Sequence, residues 1–321
     1  MHHIRVSTAG GPETLEWAAG DEPEPGDDSL IVEVAAAGLN FIDTYQRSGL
    51  YPVDLPFTPG MEGAGTVLWA PGESDFSPGE RVAWASAPKS YAERVAVPVG
   101  QAVRVPDAVA LEAAAAVMLQ GITAHYLATD TFPLSSGHRC LIHAGAGGVG
   151  LLLTQIAKHL GAEVFTTVGS DAKAELARHA GADHVINYSS VDFGEAVESV
   201  IGPRALDVVY DGVGKTVFER SLTLLRPRGM MVTFGNASGP ADPVSPLTLM
   251  REGSLYLTRP TMGHYLADRA ALEARTFDLF TWMAEGWLHV RIGARVPMAE
   301  AAEAHRMLEA RETTGKVILI P

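Results

Sequence analysis

From Arg139 onward, short apolar runs and amphipathic stretches take turns, and that alternation constrains the fold more than any other feature of the chain. "RCLIHAG" reads as a strand and "GGVGLLLTQIAKHLG" as a helix closed by Gly161. "AEVFTTVG" is a strand and "DAKAELARHAG" a helix closed by Gly181. "HVINY", "VDFGEAVESVIG" and "ALDVVYDGVG" then read as strand, helix and strand, and "KTVFERSLTLLRPRG" and "MMVTFG" continue the pattern. Strands this short and apolar, separated by one-faced helices, imply a parallel sheet covered on both sides.

The first third has a different texture. "LIVEVAAAG" (30–38), "GAGTVLWA" (63–70), "ERVAWA" (80–85) and "AERVAVP" (92–98) are β-rich runs separated by Gly, Pro and Asp. They predict a mostly antiparallel β domain, interrupted by a helix that starts at Asn40 with Asn40 as N-cap and Asp43 in its first turn. Beyond Gly263 come the helical "DRAALEARTFDLFTWMAEG", a strand near "ARVPM", the helix "AEAAEAHRMLEAR" and the apolar strand "KVILIP". A last strand that apolar is expected to be buried in an existing sheet, so the tail is read as returning to the first domain. With 321 residues, two domains are the natural expectation. Here they are residues 1–120 with 264–321, and the alternating domain inserted over 121–263.

Composition narrows the function. The 24 basic residues face 38 acidic ones, a formal net charge of −14, which argues against a broad nucleic-acid surface. No apolar run is long enough to span a bilayer, and "MHHIRVSTAGG" lacks the apolar core of a signal peptide. The single cysteine, Cys140, lies in an apolar run and reads as core; it excludes an intramolecular disulfide and a four-cysteine zinc lobe. A cytoplasmic protein without membrane or nucleic-acid partners is expected.

"HAGAGGVG" contains Gly145-x-Gly147-x-x-Gly150 between a predicted strand and a predicted helix. A pyrophosphate needs this arrangement: a tight turn, backbone approach without Cβ atoms, and free N–H groups at a helix start. A simple tight turn would also account for the glycines, but not for the residues at the end of the next strand. There an NAD-binding unit commonly carries an Asp or Glu on the ribose hydroxyl. This chain has Gly169 and Ser170, then Lys173. That gives a 2′-phosphate room, a hydroxyl donor and a compensating charge, so NADPH is expected over NADH. Asp171 dissents, and is read as pointing to solvent at the helix start. The plain alternative for Lys173 is a solvated helix residue.

"HAGAGGVG", "NFIDTYQRSGLYP", "TPGMEGAG", "SLYLTRPT" and "TTGKVILIP" together resemble the zinc-free quinone oxidoreductases of the medium-chain dehydrogenase/reductase superfamily, over nearly the whole chain. The resemblance implies a GroES-like, mostly antiparallel β domain built from both chain ends, with an inserted Rossmann doubly wound parallel sheet. It implies a homodimer formed through the region of "GSLYLTRPT" (253–261), an apolar run that also reads as a sheet edge needing cover.

Against the zinc-dependent members of that superfamily, Asn40 stands where a cysteine ligand would be and Met61 where a histidine would be. A carboxamide and a thioether are poor zinc ligands, and Glu62 alone cannot hold the ion, so no metal is expected. Without a Lewis acid to stabilise an alkoxide, a simple alcohol is a poor hydride donor. An electron-poor quinone or an activated enone can accept hydride from NADPH directly.

The resemblance further implies that Asn40, Asp43, Tyr45 and Tyr51 face the nicotinamide and the quinone pocket. A phenol there could bond a quinone oxygen, although its ordinary pKa makes obligatory acid catalysis doubtful. The alternative is a cap at Asn40 and tyrosines that merely pack. Positions matching the family's cofactor contacts are Asn40, Tyr45, Thr123, Gly147, Gly148, Val149, Gly169, Ser170, Lys173, Tyr188, Gly212, Val213, Phe234, Gly235, Asn236 and Arg311, with Tyr188 and Arg311 brought to the 2′-phosphate. His125, His143 and His305 have no partners identifiable from the sequence and are read as core or surface. The first reading is therefore an NADPH-dependent quinone reductase. The second is an alkenal, enone or enoyl-thioester reductase, and the third a non-catalytic NADPH-binding protein.

Overall fold

The computed structural model describes residues 1–321. The chain forms two units, Met1–Ile122 with Asp268–Pro321, and Thr123–Ala267.

The second unit is a six-stranded, all-parallel sheet. Its first three strands, Arg139–Ile142, Glu163–Val168 and His184–Asn187, are laid outward in succession. The order then reverses to place Leu206–Asp211 on the other side of the first strand, followed by Leu225–Thr233 and Tyr256–Thr258. This is the Rossmann order, with its switch point between Arg139–Ile142 and Leu206–Asp211. Every residue of Leu206–Asp211 is buried, as a strand covered on both faces requires. Cys140 is buried in the first strand, and its thiol is pushed up by that burial.

The segment "KTVFERSLTLLRPRG" departs from the simple alternation. Its helix spans only Phe218–Leu224, and the strand already begins at Leu225. Pro227 explains this: it disfavours helical geometry at Arg226 and has no N–H for a helical bond. The run at 253–261 yields a strand of three residues, Tyr256–Thr258, at the sheet edge.

The first unit is a mostly antiparallel seven-stranded sheet. Ser29–Gly38 lies at its centre and pairs with Gly63–Trp69, Arg94–Pro98 and the tail strand Lys316–Ile320. The last pairing sets Ile318 opposite Gly38 and Leu319 opposite Ala37. Its core runs from Ile4 and Val6 through Val32, Trp84 and Tyr91 to Val317 and Leu319. The sequence patterning missed the ribbon His2–Val6 with Leu15–Ala19, whose register mixes exposed and buried residues without clean alternation.

The helix after the central strand spans Phe41–Ser48 with Asn40 at the N-cap position. Asn40 as N-cap and Asp43 in the first turn both stand as expected. The Asp43 carboxylate accepts from the Asn40 backbone N–H at 2.8 Å, while the Asn40 side chain is engaged elsewhere. A left-handed Gly49 closes the helix.

Candidate active site

In the second unit, three loops leave the carboxyl ends of neighbouring parallel strands, where a doubly wound sheet binds its ligand. The first is the glycine loop. Ala144 turns through a left-handed φ of 57°, and Gly147 caps the helix Gly148–His159. Gly145 N–H donates to the Thr167 carbonyl at 2.9 Å. A Cβ at Gly145 would fall 1.9 Å from Thr166 Oγ1, and one at Gly150 would fall 2.3 Å from the Ala144 carbonyl oxygen. Gly147 differs, because its Cβ would meet only that oxygen, at 3.2 Å. Two glycines thus let the turn close, and the third leaves its backbone open beside the helix N-terminus, together with Gly148 and Val149.

The second loop follows Glu163–Val168. Ser170 caps the helix Asp171–His179, its hydroxyl oxygen accepting from Lys173 N–H at 3.3 Å, which leaves the hydroxyl hydrogen to donate outward. Tyr188 is half-exposed on the neighbouring loop, and a Cβ at Gly169 would fall 2.6 Å from its hydroxyl. Glycine at 169 therefore lets the phenol lie over the backbone. Asp171 is exposed and accepts from Asn187 Nδ2 at 2.9 Å. The fold thus brings Gly169, Ser170, Lys173 and Tyr188 into one neighbourhood.

The third group is organised by Asp211, a residue the sequence patterning does not single out. It ends the strand at the switch point, fully buried. Its Oδ1 accepts from Val213 N–H at 2.7 Å and Gly214 N–H at 2.9 Å, and its carbonyl accepts from Phe234 N–H at 2.7 Å. One residue thus ties Gly212–Val213 to Phe234, Gly235 and Asn236. A Cβ at Gly235 would meet the Gly212 carbonyl at 2.4 Å, so the loops touch through glycine backbone. Burial pushes the Asp211 carboxyl up to about 6, against the pull of the two amides. A signal for it does exist in the sequence: an Asp closing an otherwise apolar strand.

His143 has partners after all. Buried just before the glycine loop, it lies 3.0 Å from Thr167 Oγ1 and 2.8 Å from Ser221 Oγ, and burial lowers it to about 3. It is a neutral structural link between neighbouring elements. His125 sits 3.3 Å from Thr129 Oγ1, one turn along. Thr123 is buried on the helix Leu111–Tyr126.

In the first unit, the helix Phe41–Ser48 carries Tyr45, buried and tilted against Tyr51 with ring centroids 5.2 Å apart. Asn40 and Asp43 belong to a buried polar cluster. Asn40 Nδ2 donates to Glu62 Oε2 at 2.7 Å and to the Gly38 carbonyl at 3.3 Å. Its Oδ1 accepts from Lys316 Nζ at 2.8 Å and Gln120 Nε2 at 3.1 Å. All four hydrogen-bonding positions of the amide are taken. Glu62 accepts from the Lys316 ammonium through Oε2 and from Leu119 N–H at 2.6 Å through Oε1.

Asp43, fully buried, accepts from Tyr91 Oη at 2.8 Å. His305 follows at 3.5 Å from that hydroxyl and 3.2 Å from Arg47, which bonds Glu309 at 2.6 Å. Burial, reinforced by Arg47, lowers His305 to about 3. Burial also raises the Tyr91 phenol well above its ordinary value, with Asp43 adding to the effect. Arg311 lies in this first unit beyond the helix Ala301–Glu309, exposed and with a left-handed φ of 60°.

Residues 26–130 match the family model of the alcohol dehydrogenase GroES-like domain, and residues 148–275 that of the zinc-binding dehydrogenase. The chain is 44% identical over 321 residues to a quinone oxidoreductase of Pseudomonas aeruginosa, with 99% of each chain covered. It is 39% identical over 325 residues to a 2-haloacrylate reductase of a Burkholderia species, with 98% of each covered. The structure of Escherichia coli quinone oxidoreductase complexed with NADPH matches with a TM-score of 0.98 at 40% identity, covering 100% of both chains.

The zinc in the second family's description does not fit these residues. No group of three or more His, Cys, Asp or Glu side chains is placed to hold a metal. Glu62 is already paired with an ammonium that would repel a dication, Asn40 is saturated, and Asp43 accepts from Asn40 N–H and the Tyr91 hydroxyl. Full-length relatives at 39–44% identity, both domain families and the presence of both a GroES-like and a Rossmann sheet agree: the chain belongs to the quinone oxidoreductase family of the medium-chain dehydrogenase/reductase superfamily.

Proposed function

We propose that this protein is an NADPH-dependent quinone reductase that works without a metal. The observation that carries the reading is the filled polar cluster. Where a Lewis acid would be needed to turn over an alcohol, the chain places an ammonium, a carboxylate and a saturated amide. An acceptor that is already electron-poor needs no such help.

NADPH, when bound, supplies the hydride. The chain's own residues bind and orient it: Gly147, Gly148 and Val149 take the pyrophosphate on backbone N–H groups at the helix start. Gly169, Ser170, Lys173, Tyr188 and Arg311 serve the 2′-phosphate. Thr123, Gly212, Val213, Phe234, Gly235 and Asn236 line the nicotinamide half, with Asp211 holding their loops. Tyr45 and Tyr51 contact the acceptor and Tyr45 the cofactor, while Asn40 and Asp43 act from beneath through the helix they start. Residues 121–263 are the cofactor domain, and 1–120 with 264–321 the acceptor domain.

A second reading, reduction of an activated alkene, is favoured by the likeness to a 2-haloacrylate reductase. A panel of quinones, enals and haloacrylates with NADPH separates the two; turnover of alkenes alone would reject the quinone assignment. Elemental analysis should find no stoichiometric zinc, and activity should survive chelators. We further propose a cytoplasmic homodimer paired through the sheet edge at Tyr256–Thr258, where Tyr256 is exposed. A monomer by light scattering at micromolar concentration would count against it.

Cofactor choice gives a sharper check. Lys173→Ala should weaken NADPH by roughly 1.5–3 kcal/mol, the scale of a hydrogen bond to a charged group, and leave NADH nearly unchanged. Equal losses for both cofactors, measured by fluorescence titration, would remove Lys173 from the phosphate site.

A further inference from the structure

Lys316 is the least expected member of the polar cluster. It opens the tail strand Lys316–Ile320, is 1% exposed, and bonds both Glu62 and Asn40. The same strand fixes the backbone beside them, because Leu39 N–H donates to the Val317 carbonyl at 3.0 Å. Space for the pair is built into the central strand. A Cβ at Gly38 would fall 2.2 Å from Glu62 Oε2 and 2.7 Å from Lys316 Cε. The main chain therefore makes room for one ammonium and one carboxylate.

We propose that Lys316 is the internal cation of this reductase: its ammonium neutralises Glu62 and fixes the Asn40 carboxamide and, through it, the start of the helix Phe41–Ser48. It is a positioning residue, and its effect on turnover rests on the reductase reading above.

A buried ion pair that served only stability would be replaceable by two neutral side chains, often at little cost. Lys316 has a second task. With its Nζ on Asn40 Oδ1, the amide can present its Nδ2 only toward Glu62 and Gly38, which leaves one orientation. Removing both charges keeps the packing but releases that choice. Asn40 also donates its backbone N–H to Asp43, so the freedom passes to the first turn of the helix that bears Tyr45.

The test uses two variants of the full-length protein. Lys316→Ala should melt lower and reduce a quinone about tenfold more slowly, and added methylammonium should restore both by entering the emptied space, where sodium at equal ionic strength does not. Melting with no acceptor present reads the cation site by itself. If the reductase reading fails, the wild type shows no turnover while the methylammonium-dependent rise in melting temperature persists. The double variant Lys316→Met, Glu62→Gln should melt near the wild type yet keep the loss in kcat, with KM for the acceptor moving less. Wild-type turnover in the double variant, or a Lys316→Ala melting temperature indifferent to methylammonium, overturns the proposal. Should Lys316→Ala not fold, the double variant decides alone.

Discussion

Asp43→Asn should stabilise the protein at pH 8 by on the order of 4 kcal/mol and change its stability little at pH 4. The motive is the enclosure of the Asp43 carboxyl. Burial pushes it up to about 7, and the charge of Glu62 pushes the same way, while the Asn40 N–H, the Tyr91 hydroxyl and the Lys316 ammonium pull it back. Its Oδ1 has no hydrogen-bond partner. In the unfolded chain the group titrates near 3.8. Between these values the folded protein keeps a proton that the unfolded chain releases. The associated stability is complete below pH 4 and is lost at about 1.4 kcal/mol per unit as pH rises to about 7.

Asparagine has no proton to lose. Its oxygen, in the place of Oδ2, can still accept from both Asn40 N–H and the Tyr91 hydroxyl, and its Nδ2 takes the place of Oδ1, which has no partner in the wild type. His143 and His305, both lowered to about 3, are common to the two proteins, so their acid sensitivity cancels in the difference. Urea unfolding of both proteins from pH 4 to pH 8 should show the gap widening with pH. A constant gap would mean that Asp43 ionises at its ordinary pKa despite its burial.

The fold is legible where the chemistry is local. Alternating apolar and amphipathic runs announce the parallel sheet, and Gly145-x-Gly147-x-x-Gly150 marks the turn at its first strand. The stretch Gly169–Lys173 carries its own message, because a cap, a helix start and a missing acid all lie within five residues of chain. The polar cluster is not legible, for a physical reason. Lys316 reaches Asn40 across 276 positions and Tyr91 reaches His305 across 214, and no periodicity encodes such pairings. The only traces in the sequence are a lysine opening the apolar "KVILIP" and a histidine within "AEAAEAHRM". Asn40 does stand before the helix, as its sequence context suggests, but its amide serves Glu62 and Lys316. Only the partner's position in space could reveal that.

Gly150→Ala and Gly147→Val should fail in different ways, and the difference tests the cofactor site directly. At Gly150 the new Cβ would lie 2.3 Å from the Ala144 carbonyl oxygen and 2.9 Å from Gly145 Cα. Both neighbours are backbone, so relief requires opening the turn between the first strand and its helix. That variant should lose roughly 2–4 kcal/mol of stability, the scale of a forced backbone shift, together with its NADPH affinity. At Gly147 the backbone is extended, with φ −77° and ψ 170°, which any residue adopts, and a Cβ meets only one atom, at 3.2 Å. Valine there should melt within a few degrees of the wild type. Its branched side chain nevertheless occupies the approach to the N–H groups of Gly148 and Val149, where a pyrophosphate must come within hydrogen-bonding distance. Losing two such charge-assisted bonds should weaken NADPH by at least about a hundredfold, and NADH equally, since both carry the pyrophosphate. Thermal melts and titrations of both cofactors decide the matter. Should Gly147→Val bind NADPH like the wild type, the pyrophosphate cannot lie on this loop.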